Sequence, residues 1–150
     1  MEQKYESLRL QNQMCFPLYA AAREVVKRYR PYLEKIDLTY TQYIVMMVLW
    51  EEEECSVKSL CEKLYLDSGT LTPVLKSLET KGFLTRRRSE SDERIVLVRI
   101  TDSGFCLREK AVEIPSQIAG CIALKRDEAL TLYTLLYKLL SDATEKSAKG

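Results

Sequence analysis

The segment LTRRRSESDERIVLVRIT, residues 84–101, carries the clearest structural signal in this chain. Two runs of alternating side chains, FLTRRRS and RIVLVRIT, flank the polar segment SESDER. Such alternation around a polar turn predicts a two-stranded β-hairpin. Three consecutive arginines, Arg86, Arg87 and Arg88, lie on the first strand. Since neighbouring side chains of a strand point to opposite faces, we expect that one internal ion pair cannot neutralise all three.

The turn carries a fourth arginine, with a carboxylate two residues before it. Asp92 and Arg94 lie on one face of an extended chain, so the carboxylate is predicted to hold the guanidinium in a fixed pose at the hairpin tip. The chain has a net charge of only +1, but residues 76–99 contain seven basic and four acidic side chains. That segment is therefore a local basic patch.

Helical signals precede the hairpin. Thr39 and Gln42 have capping-box spacing, and the apolar run after them predicts a buried helix over about 40–52. Two short helices follow in SVKSLCEKLYLD and DSGTLTPVLKSLETKG, the second with Asp67 or Ser68 as its N-cap. Two short helices joined by the tight turn YLDSG and followed by an arginine-rich hairpin predict a winged helix-turn-helix.

Longer helices are predicted on either side of this unit. Helical spacing over residues 5–30 is interrupted by Pro17, where the helix must kink or restart. After residue 101 a helix is expected to run to Pro115, and the last helix covers about 126–145. The predicted fold is therefore mainly α with a small β-hairpin wing, in the α+β class.

The predicted winged helix-turn-helix indicates a surface for double-stranded DNA. In this layout the second helix enters the major groove and the hairpin reaches the adjacent minor groove. We expect the outward face of that helix to offer short polar groups to phosphates and base edges: Asp67, Ser68, Thr70, Thr72, Lys76 and Ser77. The three consecutive arginines are expected to grip phosphates, and Arg94 to reach into the narrow, negative minor groove. The alternative is a solvated polar helix beside a salt-bridged hairpin.

Composition excludes several other classes of protein. A chain of 150 residues with 46% apolar and 30% charged residues is expected to form one soluble domain, and no apolar run approaches the roughly 20 residues that cross a bilayer, so we expect a cytoplasmic protein. The absence of histidine excludes Ser-His-Asp and Cys-His catalysis. Five cysteines without a C-x-x-C pair argue against a zinc site and an extracellular disulfide framework. We therefore expect that the protein is not an enzyme and that it binds no metal and no cofactor.

A second candidate site is built around a thiol. Cys15 and Tyr19 are four residues apart, so they are neighbours on one helical face, and Tyr29 and Tyr40 supply further phenols. A reactive cysteine needs a stabilised thiolate, which tyrosine hydroxyls provide while their rings form an apolar pocket that favours organic peroxides. A helix restarting at Pro17 would favour the thiolate as well. The alternative is that Cys15 is a small core residue.

A resemblance makes these expectations specific. SDERIVLVRIT resembles the wing signature D-x-R-x-x-x-V-x-L-T of the MarR family of transcription regulators, with Ile100 in place of the usual leucine. Four longer stretches are similar to the organic-hydroperoxide-sensing repressors of that family, the OhrR group: NQMCFPLYAAAREVVKRYRP, LTYTQYIVMMVLWE, EKLYLDSGTLTPVLKSLE and RRRSESDERIVLV. The similarity covers residues 7–115.

The resemblance implies an obligate homodimer bound to a near-palindromic operator. Residues 1–150 would form a single MarR-type domain, with the winged helix-turn-helix at 39–101. The helices of residues 1–38 and 102–150 would form the dimer interface.

The resemblance also implies the sensing chemistry. Cys15 would be the peroxide-reactive cysteine, with Tyr19, Tyr29 and Tyr40 as its hydrogen-bonding shell. An organic hydroperoxide would oxidise Cys15 to sulfenic acid, which condenses with a second thiol and releases the operator. Some members carry a resolving cysteine from the other subunit in about the region of Cys121, which implies an intersubunit Cys15–Cys121 disulfide; a low-molecular-weight thiol is the alternative partner.

Two rival readings remain open. A thiol peroxidase lacks support, since the chain has no Thr-x-x-Cys motif. The nearer rival is a MarR-type repressor induced by a small phenolic or drug-like ligand at the dimer interface.

Of the other thiols, Cys61 and Cys106 are expected to be packing residues.

Overall fold

The chain folds into a mainly helical structure with one small sheet. The computed structural model describes residues 2–148, and the side chains of residues 3–146. The helices are α1 (Cys15–Leu33), α2 (Tyr40–Glu52), α3 (Val57–Leu64), α4 (Ser68–Thr80), α5 (Asp102–Ala111), α6 (Ile114–Ala119) and α7 (Arg126–Ala148), and the strands are β1 (Glu54–Ser56), β2 (Leu84–Arg88) and β3 (Val96–Ile100). The predicted α+β class and the predicted winged helix-turn-helix are confirmed.

The N-terminal helix begins later than predicted. Two 3-10 helices, Glu2–Leu8 and Leu10–Asn12, occupy the start of the predicted segment, and α1 begins at Cys15. Pro17 is the third residue of α1, where a backbone amide has no intrahelical acceptor, so its missing N–H costs nothing there. The prediction of helix from residue 5 is wrong, and a restart beside Pro17 is confirmed.

Helix α2 forms the centre of the core. Its capping box is present as predicted: Thr39 Oγ1 accepts from the Gln42 amide, and Gln42 Oε1 accepts from the Thr39 amide. Val45, Met46 and Leu49 are fully buried along the helix. Both ends of the predicted span 40–52 are confirmed.

The helix-turn-helix is made by α3 and α4. Tyr65 ends α3 in the left-handed conformation at φ 54°, and Asp67 caps α4 through a 2.7 Å bond from the Thr70 amide. The buried side chains of the pair are Leu60, Leu71, Leu75 and Leu78. This packing fixes α4 by its apolar face and leaves the polar face at the surface.

The hairpin belongs to a three-stranded antiparallel sheet in the order β1-β3-β2. Arg86 pairs with Val98, and Glu54 of β1 pairs with Arg99. Leu84 and Val98 are buried on the inner face. Strand β1 was not predicted, because three residues within a glutamate-rich segment carry no period of two.

The helix after the hairpin is shorter than predicted. Helix α5 ends at Ala111, and α6 begins at Ile114 with Pro115 as its second residue. Proline is suited to the first turn of a helix, so it starts a new helix here and does not end the old one. The contacts divide the chain after Ser116 into two compact units. None of the helices within residues 2–148 combines the length and hydropathy needed to cross a membrane.

Candidate nucleic-acid interface and thiol site

The tip of the hairpin holds one arginine in a fixed pose. Arg94 Nε donates to Asp92 Oδ1 at 3.1 Å, and Arg94 Nη2 donates to Asp92 Oδ2 at 3.0 Å. The Arg94 amide also donates to Asp92 Oδ1 at 3.0 Å. The hydrogen bonds from Arg94 lower the pKa of Asp92, so the carboxylate is charged at neutral pH. The predicted pairing is confirmed, and the Arg94 side chain is 91% exposed.

The three consecutive arginines each have a separate partner in the same chain. Arg86 Nε and Nη2 both donate to Glu79 Oε2 of α4, at 3.1 and 2.8 Å, and the Arg86 amide donates to Glu79 Oε1 at 3.0 Å. Arg87 reaches Glu54 at 3.2 Å, and Arg88 donates to the Glu93 carbonyl at 2.8 Å. As expected, no single ion pair takes up all three. The basic patch is nevertheless partly neutralised within the chain.

Most of the predicted contact residues of α4 lie at the surface. Asp67, Ser68, Thr70, Thr72 and Lys76 are exposed. The Thr72 hydroxyl donates to the Ser68 carbonyl at 2.7 Å. The placement of Ser77 on the outward face is wrong, because its hydroxyl accepts a 3.0 Å hydrogen bond from the buried Gln42 side chain.

Two residues that hold α4 from its inner side, Gln42 and Lys81, were not predicted as site residues. Gln42 was identified only through its capping box, yet its side chain also contacts α4. Lys81, at the C-terminal end of α4, donates to the Asp37 carbonyl at 2.6 Å and to Gln42 Oε1 at 3.2 Å. A link across 39 residues leaves no periodic signal, so spacing alone does not reveal it.

The residues predicted for the thiol site do not come together within one chain. Cys15 is the first residue of α1 and is exposed; Tyr19 follows one turn later and is 60% exposed. Arg23 lies over the Tyr19 ring, with its guanidinium carbon 5.5 Å from the ring centroid. Tyr29 is 14 residues along the same helix, which is about 21 Å at 1.5 Å per residue. Cys15 and Tyr29 of one chain are therefore far apart.

Tyr29 and Tyr40 form a separate cluster together with Tyr43. The Tyr29 and Tyr40 rings meet edge to face with centroids 4.9 Å apart, and Tyr43 lies 5.9 Å from Tyr29. Burial raises the pKa of Tyr29, Tyr40 and Tyr43, so all three are hydrogen-bond donors at neutral pH. An apolar groove of about 380 Å³ lies beside them, lined in part by Val26, Leu33 and Tyr40.

The other thiols differ in their surroundings. Cys121 is exposed, and its thiol donates to the Gln117 carbonyl at 3.3 Å. Burial and the nearby Glu52 raise the pKa of Cys55 to about 11. Cys61 is half-buried, as expected for a packing residue, but the prediction for Cys106 is wrong, since its side chain is exposed. Among the residues that the structure describes, no group of three or more histidine, cysteine, aspartate or glutamate side chains is placed to hold a metal ion.

Several known proteins are similar to this chain in sequence and fold. Residues 27–110 match the family model of the transcriptional regulators SarA and Rot. The organic hydroperoxide resistance transcriptional regulator of Bacillus subtilis (strain 168) is 48% identical over 147 residues, which cover 98% of this chain and 100% of that protein.

The AbfR protein of Staphylococcus epidermidis is a second relative, solved in several forms. Its reduced form bound to DNA is 35% identical with a TM-score of 0.77, over 95% of this chain and 99% of AbfR. The overoxidised form bound to DNA is 36% identical, with a TM-score of 0.76 and the same coverage. The disulfide form is 34% identical with a TM-score of 0.66, over 95% of this chain and 98% of AbfR. The wing signature, the winged helix-turn-helix and these relatives agree, and the chain belongs to the MarR family of transcription regulators.

Proposed function

We propose that this protein is a dimeric transcriptional repressor that binds a near-palindromic operator and releases it when an organic hydroperoxide oxidises Cys15. Residues 39–101 bind DNA in this proposal, and residues 1–38 and 102–150 form the dimer. The sensor is Cys15, resolved by Cys121 of the partner subunit.

The separation of Cys15 from Tyr29 carries the proposal. A tyrosine about 21 Å along the same helix cannot hydrogen-bond to the thiol. Tyr29 and Tyr40 can serve Cys15 only if they come from a second chain, while Tyr19 comes from the same chain. The sensor then lies between two subunits, and its oxidation acts directly on their contact.

Exposed apolar side chains support a dimer on both terminal segments. At the N-terminal end they are Tyr5, Leu8, Leu10, Met14, Phe16, Leu18 and Tyr19. On α7 they are Leu130, Leu132, Tyr133, Leu135, Tyr137 and Leu139. A soluble monomer rarely leaves so many large apolar groups in water, so we assign both faces to the interface.

The exposed polar face of α4 and the arginine at the wing tip support DNA binding. Asp67, Ser68, Thr70, Thr72 and Lys76 would contact the major groove, and Arg94 the minor groove. Arg87 and Arg88 lie at exposed positions from which their guanidinium groups can exchange intrachain partners for phosphates. Arg86 is more restricted by its three hydrogen bonds to the Glu79 carboxylate, so we assign it to holding the wing against α4.

The proposed chemistry has two balanced steps. The Cys15 thiol gives its proton to solvent, and the thiolate attacks the terminal oxygen of the hydroperoxide. The O–O bond breaks, Cys15 becomes a sulfenic acid, and the organic part leaves as an alkoxide that takes a proton from solvent and becomes an alcohol. The partner's Cys121 thiol then attacks that sulfur, an S–S bond forms and water leaves. The apolar groove beside Tyr40 suits the hydrocarbon part of the oxidant, which favours an organic hydroperoxide over hydrogen peroxide.

The forms in which AbfR has been solved support the disulfide as the releasing step. AbfR binds DNA both reduced and overoxidised, and a disulfide form is known separately. In this chain, a covalent bridge from Cys15 to the other subunit would constrain the distance between the two α4 helices, which must match the spacing of the operator half-sites. Oxidation without a bridge leaves that distance unconstrained.

A gel shift tests the proposal. Duplex DNA selected by the reduced protein from a random pool is the probe, and wild type, Cys15→Ser and Cys121→Ser are each treated with cumene hydroperoxide. Wild type should release the DNA and run as a covalent dimer on a non-reducing gel. Cys15→Ser should keep the DNA, and Cys121→Ser should form no covalent dimer. Release of the DNA from oxidised Cys15→Ser would refute the sensor assignment.

A second function is favoured by another groove. Tyr43, Met47, Trp50, Arg108 and Val112 line about 280 Å³ of mostly apolar space with one cation, which suits a small aromatic acid. A repressor induced by such a ligand would respond equally in wild type and Cys15→Ser, so salicylate added to the same gel shift separates the two functions.

A further inference from the structure

A buried polar cluster joins the end of α4 to the start of α2. Gln42 is only 5% exposed, and its side chain makes three hydrogen bonds. Oε1 accepts from the Thr39 amide at 3.0 Å and from Lys81 Nζ at 3.2 Å, and Nε2 donates to Ser77 Oγ at 3.0 Å. One side chain therefore caps α2 and also binds two residues at the C-terminal end of α4.

Lys81 extends the cluster to the end of α1. Its ammonium group donates to the Asp37 carbonyl at 2.6 Å and pairs with Asp37 Oδ1 at 3.2 Å. Asp37 is in the left-handed conformation, φ 56°, and ends the 3-10 turn Glu34–Ile36 that follows α1. Lys81 thus binds both sides of the corner between α1 and α2, here called the α1–α2 corner (residues 34–42).

The tyrosines assigned to the sensor lie at the same corner. Tyr40 is in the first turn of α2, between the capping residues Thr39 and Gln42, and its ring contacts Tyr29 of α1. A displacement of Tyr40 displaces the first turn of α2. Because Gln42 is in that turn and its side chain bonds directly to Ser77 and Lys81, the displacement is passed to both residues.

We propose that Gln42 and Lys81 are positioning residues that couple the Tyr29–Tyr40 pair to the DNA-reading helix α4. This inference rests on the proposed redox function. In the reduced protein the cluster sets the position of α4 against the α1–α2 corner. When oxidation moves that corner, the same bonds pull α4 out of register with the major groove.

The chemistry of the cluster suits this role. A buried polar network whose members are all satisfied fixes one arrangement of the elements it joins, because any shift leaves a polar group unpaired. Apolar contacts between the same elements would tolerate sliding. Among residues 3–146, no buried side-chain nitrogen or oxygen lacks a hydrogen-bond partner.

Operator affinities of reduced and oxidised protein test the inference. The variants are Lys81→Met, which removes the ammonium group, Lys81→Arg, which retains a cation able to reach Asp37, and Lys76→Met as a control on the exposed face of the same helix. The readout is the ratio of the dissociation constant of the oxidised form to that of the reduced form, measured by fluorescence anisotropy. Thermal unfolding shows that each variant is folded.

Lys81→Met should bind the operator in its reduced form within about threefold of wild type while the ratio falls about tenfold or more, which is the usual size of a coupling between sites. Lys81→Arg should restore much of the ratio. Lys76→Met should weaken both forms alike and leave the ratio unchanged. A folded Lys81→Met protein with the wild-type ratio would overturn the coupling role, whereas a wild-type ratio of one would refute the proposed function itself.

Discussion

Asp92 holds the guanidinium of Arg94 by two parallel hydrogen bonds, at 3.1 and 3.0 Å, at the tip of the wing. The pair leaves the outer side of the guanidinium in solvent, with the Arg94 side chain 91% exposed. A pre-oriented arginine loses less conformational freedom on entering a minor groove than a mobile one. The pair thus prepares the wing for DNA before the two meet.

The first prediction separates the charge of Arg94 from its pose. Arg94→Lys retains the charge but not the planar bidentate pair, so operator affinity should fall by roughly tenfold while the salt dependence is unchanged. Arg94→Ala should lower affinity further and reduce the slope of log affinity against log salt by about 0.9. Equal salt slopes in wild type and Arg94→Ala would show that Arg94 does not contact DNA.

The wing tip should also be insensitive to pH near neutrality. Because Arg94 lowers the pKa of Asp92, the contribution of the pair is complete above the ordinary carboxyl value of about 4 and disappears only as the pH falls through the lowered pKa. Operator affinities of Cys15→Ser and of Cys15→Ser with Arg94→Lys are measured by fluorescence anisotropy between pH 5 and 8. The ratio of the two affinities should be the same at every pH. A ratio that collapses within this range would contradict the charged pair.

A glycine in α5 sets the packing of the wing on the helices. A Cβ on Gly104 would collide with the Phe83 carbonyl oxygen, and the Gly104 carbonyl accepts from Trp50 Nε1 at 2.9 Å. Gly104→Ala should lower the free energy of unfolding by about 3 kcal/mol, since the nearest obstacle is the backbone carbonyl of Phe83, which cannot rotate away as a side chain can. Gly69→Ala is the matched control, because its Cβ meets only the Asp67 carboxylate at 3.2 Å. Urea unfolding that ranks the two variants equally would be inconsistent with this packing.

The apolar face of α7 is predicted to hold the dimer together. Tyr133→Lys places a charge among Leu130, Tyr137 and their neighbours, and an unpaired charge in an interface costs several kcal/mol, so the dimer dissociation constant should rise roughly a hundredfold or more. Thr134→Lys adds the same charge next to it, on the polar stripe of α7, and should leave the dimer intact. Sedimentation velocity distinguishes the outcomes; a Tyr133→Lys dimer as tight as wild type would place the interface elsewhere.

Cys55 should be inert where Cys15 reacts. Its pKa of about 11 leaves only about 0.1% thiolate at pH 8, so iodoacetamide should label Cys55 far more slowly than Cys15 in the folded protein. A thiol whose pKa is raised in the folded state contributes its full stability when the pH is below the thiol pKa of the unfolded chain. That contribution is lost as the pH rises through the folded-state pKa of about 11. Stability should therefore decline between about pH 9 and 11 less steeply in Cys55→Ala than in wild type. Rapid labelling of Cys55 would contradict its burial.

Local signals in the sequence were sufficient for much of the fold. The Thr39 and Gln42 capping box, the alternation of the hairpin and the Asp92–Arg94 spacing each depend on residues close in the chain, and each is confirmed. Strand β1 was missed because it exists only through pairing with β3, which lies 41 to 45 residues later in the chain. Glu54 pairs with Arg99, and Ser56 pairs with Leu97.

For the site residues too, contacts between residues close in the chain were predicted and contacts between distant residues were missed. Ser77 was placed on the wrong face because helical spacing does not reveal that Gln42, 35 residues earlier, supplies it with a buried partner. The partners of Arg86 and Arg87, Glu79 and Glu54, are likewise set by the sheet and not by the local pattern. The thiol site could be predicted only as a set of residue types, because within one chain Cys15 and Tyr29 lie about 21 Å apart along α1.

Operator affinity of the Cys15–Cys121 bridged dimer shows whether the intersubunit disulfide releases the DNA. The bridged dimer is separated from the reduced protein on a non-reducing column, and fluorescence anisotropy with the selected duplex gives the dissociation constant of each. The bridged form should bind the operator about a hundredfold more weakly than the reduced form, and dithiothreitol should restore the reduced value. Equal affinities of the bridged and reduced dimers would contradict release of the DNA by the disulfide.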